Sequence, residues 1–141
     1  MEKQKLISAL ILIGGIIELG LGILHFTWPF NLLELPDFVN IVAPIKDLII
    51  LASISVGLCM VVFAFLSFYF SRRVQLAEKN LLIFCYTQCI LWIVRVIFEL
   101  TVPVTVPMFI FNKPSSLILV GLISLVIIYS ISIILFKKIK G

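Results

Sequence analysis

Charged side chains are scarce in this chain. Only 13% of its 141 residues are Asp, Glu, Lys or Arg, whereas 62% are hydrophobic. Soluble domains contain about 25% charged residues, because a folded globule needs polar side chains to cover its surface. The composition therefore excludes a soluble globule and predicts an integral membrane protein whose surroundings are the lipid bilayer.

Motifs of redox and metal chemistry are also missing. The chain has one histidine, His25, which cannot by itself supply two imidazoles to a haem. Cys85 and Cys89 are spaced i, i+4 rather than C-x-x-C, and we interpret all three cysteines as small packing residues. One histidine and two carboxylates on separate turns match no metal-ligand spacing. No metal site is predicted, the cofactor is unknown, and no nucleophile–base pair is complete enough to indicate an enzyme.

Four apolar stretches reach the length of about 20 residues that a spanning helix needs. We place them at residues 6–28, 48–70, 81–102 and 116–136. The charged start of the chain resembles a signal peptide, but no small-residue cleavage site follows and the apolar run is too long, so the first span is predicted to be retained. The fold class is therefore all-α integral membrane, an antiparallel four-transmembrane-helix bundle forming one domain over residues 1–141.

The basic residues predict the orientation of this bundle. Eight of the eleven fall in segments that share one side of the membrane, namely Lys3, Lys5, Arg72, Arg73, Lys79, Lys137, Lys138 and Lys140. Because Lys and Arg resist translocation, both termini are expected to be cytoplasmic, in the cell (inner) membrane. This topology accounts for the net charge of +4, so no nucleic-acid partner is implied.

The connections between the spans differ in character. The two outward loops, residues 29–47 and 103–115, each contain three prolines among apolar residues and are predicted to lie at the membrane interface. The first is expected to include a short helix over the mouth of the bundle. The inner loop, residues 71–80, is short and polar, as in an antiparallel hairpin.

Ionisable residues within the spans are the best indication of function, because charge at membrane depth is costly. Glu18 and His25 are seven residues apart and share a face of the first helix. A rise of about 1.5 Å per residue places Glu18 level with Arg95, and His25 level with Glu99. We therefore predict that Glu18 and Arg95 form an ion pair, which could be purely structural.

Two stripes of residues are predicted to face each other across the first and third spans. One contains Gly15, Glu18, Gly22 and His25, where glycines allow close approach of a neighbouring backbone. The other contains Gln88, Trp92, Arg95 and Glu99, which follow an i, i+4, i+7, i+11 spacing along the third span. The candidates for ligand binding or proton exchange are Glu18, His25, Gln88, Trp92, Arg95 and Glu99. The second and fourth spans are expected to supply packing, with Tyr129, Ser130 and Ser132 bonding local backbone.

These stripes favour a small polytopic membrane protein with a polar pocket in its outer half, which binds a small or lipid-like, quinone-like ligand. The alternative is a non-catalytic accessory subunit or assembly factor, whose polar residues would meet a partner chain in a larger membrane complex. A homo-oligomer is compatible with either. An enzyme ranks lower, because no nucleophile–base pair or metal motif is complete. A transporter also ranks lower, because no pair of broken helices indicates alternating access.

Overall fold

The regular secondary structure of the described residues consists of helices alone. The computed structural model describes residues 2–74, 79–103 and 114–140. Its helices are α1 (Glu2–Leu33), α2 (Pro36–Val39), α3 (Ala43–Arg73), α4 (Lys79–Thr101) and α5 (Pro114–Lys140). All but α2 are long and apolar enough to cross a membrane. A helix suits that environment because it satisfies its backbone hydrogen bonds internally. The protein is a multi-pass membrane protein.

The helices extend beyond most of the predicted spans. Helix α1 continues through Pro29 to Leu33, so the first outward loop begins later than residue 29. The expected short helix in that loop is α2, which starts at a proline and buries Phe38. Proline suits the first turn of a helix because its missing N–H would have no partner there. The inner connection is shorter than residues 71–80, and residues 104–113 of the second outward loop lie outside the described residues.

Helix α1 packs mainly against α3 and α5, and α4 packs against α5. Contacts along α1 and α3 run in opposite order: Ser8 bonds the carbonyl oxygen of Ser71, while His25 is bonded by Ser53. These two helices therefore run in opposite directions. Helix α4, the third predicted span, has few close backbone contacts with α1.

Glycines bring α1 and α3 into close contact. A Cβ added at Gly22 would lie 3.1 Å from the carbonyl oxygen of Gly57, and one added at Gly57 would lie 3.0 Å from that of Gly22. The expected close approach at the glycine face of α1 is thus confirmed. The neighbouring helix is α3, which corresponds to the second predicted span. The buried face of α3 repeats at helical spacing, with Ser53, Gly57, Met60, Ala64, Ser67 and Ser71.

Pro29 is accommodated inside α1 by a hydrogen bond from α3. Proline has no N–H, so the carbonyl of His25, four residues earlier, loses its helical donor. Ser53 Oγ donates to that carbonyl oxygen at 2.8 Å. Such replacement of a lost backbone bond by a neighbouring serine is how membrane helices tolerate proline. The helix can therefore continue to Leu33.

Candidate functional site

A carboxyl group carried by one long helix lies at the centre of the bundle and contacts the other three. Glu18 on α1 is 0% exposed. Trp92 Nε1 on α4 donates to its Oε1 at 3.2 Å, and Tyr129 Oη on α5 lies 2.8 Å from the same oxygen. Ser67 Oγ on α3 lies 2.8 Å from Oε2. We call these four residues the Glu18 cluster.

Small residues on α1 make room for this cluster. A Cβ added at Gly15 would lie 2.9 Å from Ser67 Cβ, and one added at Gly14 would lie 3.0 Å from the Tyr129 hydroxyl oxygen. The absence of side chains at these two positions lets α3 and α5 bring their hydroxyl groups to Glu18. Gly14 and Gly15, one helical turn before Glu18, are therefore needed for the packing of the site.

The predicted ion pair between Glu18 and Arg95 is wrong. Arg95 Nη2 instead lies 3.0 Å from Oε2 of Glu99, one turn further along the same helix. Trp92, one turn before Arg95, occupies the level of Glu18. An i, i+4 contact forms within one helix, whereas a contact across the bundle depends on depth, which sequence gives only to within about a turn.

The second and fourth spans supply more than packing, because Ser67 and Tyr129 hydrogen-bond with Glu18. Ser132 bonds the backbone carbonyl of Ile128 as predicted, whereas the prediction for Tyr129 is wrong. Tyr129 is 0% exposed and its hydroxyl bonds side chains rather than local backbone. A signal for Ser67 was present in the sequence. It continues the stripe of small residues along α3, which indicates a helix-packing face. No comparable signal identified Tyr129.

A second polar group lies nearer the α2 end of the bundle. His25 Nδ1 lies 2.9 Å from the carbonyl oxygen of Leu21, and its ring meets that of Trp28 edge to face. Arg95 is close enough to interact electrostatically with His25. Ser115, in the first turn of α5, donates to Glu99 at 2.6 Å. The structure thus brings His25, Arg95 and Glu99 to one end, apart from the Glu18 cluster.

Gln88, the remaining predicted candidate, is buried on α4. It is 1% exposed, and neither of its amide atoms hydrogen-bonds to a described residue. It lies one helical turn before Trp92, on the same face of α4. Buried amides normally have hydrogen-bond partners, so Gln88 is an exception among the buried polar side chains of the described residues.

A groove of about 410 Å³ lies between α3 and α4. Its walls are formed by Ser55, Val56, Cys59, Met60, Phe63, Leu91, Trp92, Val94, Arg95 and Phe98. Of these ten residues only Arg95 is charged, and five are exposed on the membrane-facing surface of the bundle. Trp92 belongs both to this groove and to the Glu18 cluster, so one side chain joins the two features.

The cysteines and carboxylates of the described residues form no metal-binding group. Cys59 is exposed in the groove, whereas Cys85 and Cys89 are buried on α4 and all three are free thiols. Within residues 2–74, 79–103 and 114–140, no three His, Cys, Asp or Glu side chains are placed to hold one ion. The described donors therefore offer no metal centre.

Fold and site together define a multi-pass membrane protein with a buried carboxyl group at its centre and an apolar groove on its side. Comparison with protein-family models, curated proteins and solved structures gives no match to this chain.

Proposed function

We propose that this protein binds a lipid-like, amphipathic ligand in the groove between α3 and α4. The observation that carries the proposal is the size and lining of the groove: about 410 Å³, with mostly apolar walls and one guanidinium among them. Ligand sites of this size are mostly apolar, with few polar groups that fix orientation. A ligand entering from the bilayer would need no polar path.

The lining supports a ligand with an apolar tail and an oxygen-bearing head. Phe63, Met60 and Phe98 offer surfaces for an acyl or isoprenoid chain. Arg95 contacts Glu99 through Nη2, and a guanidinium has five N–H donors in all. Its remaining donors suit carbonyl or phosphoryl oxygens, which are found in quinones and in phospholipid heads.

The groove differs in position from the polar pocket expected between the first and third spans. The side chains that would have lined that pocket largely bond one another, as Glu18 and Trp92 do. Arg95 and Trp92 line the groove from among the predicted site residues. In this proposal His25, Gln88 and Glu99 surround Arg95 and Trp92. They do not contact the ligand directly.

We further propose that the four helices form one antiparallel domain with both termini in the cytoplasm, in the cell's inner membrane. The distribution of basic residues supports this orientation. In this arrangement the Arg95 end of the groove lies in the outer half of the bilayer.

Fluorescence of Trp92 provides the test. The chain has two tryptophans, so Trp28→Phe leaves Trp92 as the single one. Purified protein in nanodiscs is titrated with a short-tailed ubiquinone analogue, or is reconstituted with a phosphatidylglycerol brominated on its acyl chains. Both compounds quench tryptophan on close approach. We expect saturable quenching by one of them, which identifies the head group.

Two substitutions and a control locate the binding site. Arg95→Gln should weaken binding roughly tenfold or more, since charge-assisted hydrogen bonds contribute about 1.5–3 kcal/mol. Cys59→Phe fills the groove and should abolish saturable quenching. Leu58→Phe, on the neighbouring exposed position outside the groove lining, should leave it unchanged. Equal effects of Cys59→Phe and Leu58→Phe would contradict the proposal. Isolation of the protein only within a larger complex, with α3 and α4 covered, would favour the accessory-subunit alternative.

A further inference from the structure

Three side chains of the Glu18 cluster form a closed triangle of oxygen contacts. Glu18 Oε2 lies 2.8 Å from Ser67 Oγ, Ser67 Oγ lies 2.8 Å from Tyr129 Oη, and Tyr129 Oη lies 2.8 Å from Glu18 Oε1. All three residues are 0% exposed. Each distance is the usual length of an O–H···O hydrogen bond, so each contact requires a proton between its two oxygens.

The protons available depend on the state of Glu18. With an ionised carboxylate, the triangle contains only the hydroxyl protons of Ser67 and Tyr129, two protons for three contacts. In the third contact, two oxygen lone pairs would then face each other in a buried site without a proton between them. With a protonated carboxyl group the triangle contains three protons, one for each contact. Trp92 Nε1 supplies its own hydrogen to Oε1 and does not alter this count.

Among the described side chains around Glu18, none supplies a compensating positive charge. Arg95 is engaged by Glu99, and no basic side chain among the described residues lies within ion-pair distance of Glu18. Tyr129 on α5 is the titratable group that contacts Glu18 directly, and His25 is about two turns away along α1. An unpaired carboxylate at this depth would be costly, whereas a hydrogen-bonded neutral acid is not.

We propose that the centre of the bundle is a proton-binding site. Glu18 holds the proton on Oε2 and donates it to Ser67 Oγ, Ser67 donates to Tyr129 Oη, and Tyr129 donates back to Glu18 Oε1. The ligand of this site is a proton, held in a closed ring of three hydrogen bonds that joins α1, α3 and α5. This inference concerns a different site from the lipid groove and does not depend on it.

Infrared spectroscopy tests the proposal directly. Protein labelled with carbon-13 glutamate is purified in nanodiscs at neutral pH, where exposed carboxyl groups are ionised. We expect a C=O stretching band of a protonated carboxylic acid that shifts with the label and is missing from Glu18→Gln. Glu99→Gln is the matched control, because Glu99 lies in a span but faces Arg95, and it should retain the band. A wild-type spectrum without the band, or loss of the band in Glu99→Gln, would overturn the proposal.

Glu18→Gln also provides a second readout. A glutamine amide mimics the neutral acid, since its N–H can donate to Ser67 while its oxygen accepts from Tyr129 and Trp92. We expect the unfolding midpoint of Glu18→Gln in detergent to equal that of wild type, and that of Glu18→Leu to fall. A marked fall in Glu18→Gln as well would show that the native group is ionised. If Glu18→Gln does not fold, the same conclusion follows, and the labelled wild-type spectrum decides independently.

Discussion

Single buried polar atoms show how this apolar bundle is organised. Glu18 can lie at its centre because each carboxyl oxygen contacts hydroxyl or indole groups from neighbouring helices. The carbonyl of His25 is a smaller example of the same rule. Pro29 removes its helical donor, and Ser53 replaces it from α3. In these two cases a buried polar atom hydrogen-bonds a group on another helix, and the bond ties the two helices together.

The bond between Ser53 and His25 can be tested by a double-mutant cycle with Pro29. Ser53→Ala should lower the free energy of unfolding by about 1 kcal/mol, as measured for side-chain hydrogen bonds in membrane proteins. In a Pro29→Ala background the same change should cost much less, because alanine, unlike proline, has a backbone N–H that can donate to the His25 carbonyl. Stability is measured by unfolding in detergent mixtures.

Ser55→Ala is the control for this cycle. Ser55 Oγ donates to the carbonyl of Leu51 in its own helix, so its removal breaks no contact between helices. We expect little change in stability and no coupling to Pro29. An equal cost of Ser53→Ala with and without Pro29 would mean that the serine does not replace the missing donor.

At the scale of helices, the fold depends on one close pair. The glycine face of α1 meets the small-residue face of α3, and their backbones approach near Gly22 and Gly57. Close packing of small residues stabilises helix pairs in lipid, where no hydrophobic driving force brings helices together. The same approach places Ser67 within reach of Glu18.

Glycine substitutions on α1 should separate packing from helix propensity. A Cβ at Gly22 would lie 3.0 Å from Val61 Cγ2 and 3.3 Å from the Val61 backbone nitrogen, so Gly22→Ala forces the helices apart. We expect a loss of about 1–3 kcal/mol in stability, the usual cost of overpacking. Thermal unfolding in detergent, followed by circular dichroism, measures the change.

Gly20 provides the matched comparison two residues away. A Cβ there meets nothing within 4 Å, so Gly20→Ala should be neutral or stabilising, because alanine favours the helix by up to about 1 kcal/mol over glycine. Similar destabilisation by the two substitutions would show that the backbones of α1 and α3 are not in close contact at Gly22.

For the molecule as a whole, the orientation in the membrane is a prediction that labelling can check. In a background without its three cysteines, Asn40→Cys and Lys138→Cys place single thiols at exposed positions near opposite ends of the bundle. With cytoplasmic termini, a membrane-impermeant maleimide should label position 40 in intact cells and position 138 only after permeabilisation. The reverse pattern would invert the topology and place the Arg95 end of the groove on the cytoplasmic side.

The amino-acid sequence was sufficient for the membrane class, for four spans and for the glycine face of α1. These features depend on composition, on the length of apolar runs and on helical spacing, all of which are local properties of the chain. It also selected Glu18, His25 and Trp92 as candidates, because polar residues within apolar spans are conspicuous. It extended the outward loop too far at Pro29, since the bond from Ser53 that keeps the helix intact comes from another helix.

Tertiary structure alone assigned the partners. The sequence paired Glu18 with Arg95 because they are opposite charges at similar depth, but helix tilt and rotation decide which side chains meet. Uncharged hydroxyl and indole groups of Ser67, Trp92 and Tyr129 contact Glu18, while Arg95 contacts Glu99 within its own helix. The groove between α3 and α4 likewise depends on how two helices are placed beside each other. Contacts between distant residues depend on three-dimensional packing, and the spacing of residues along one helix does not encode them.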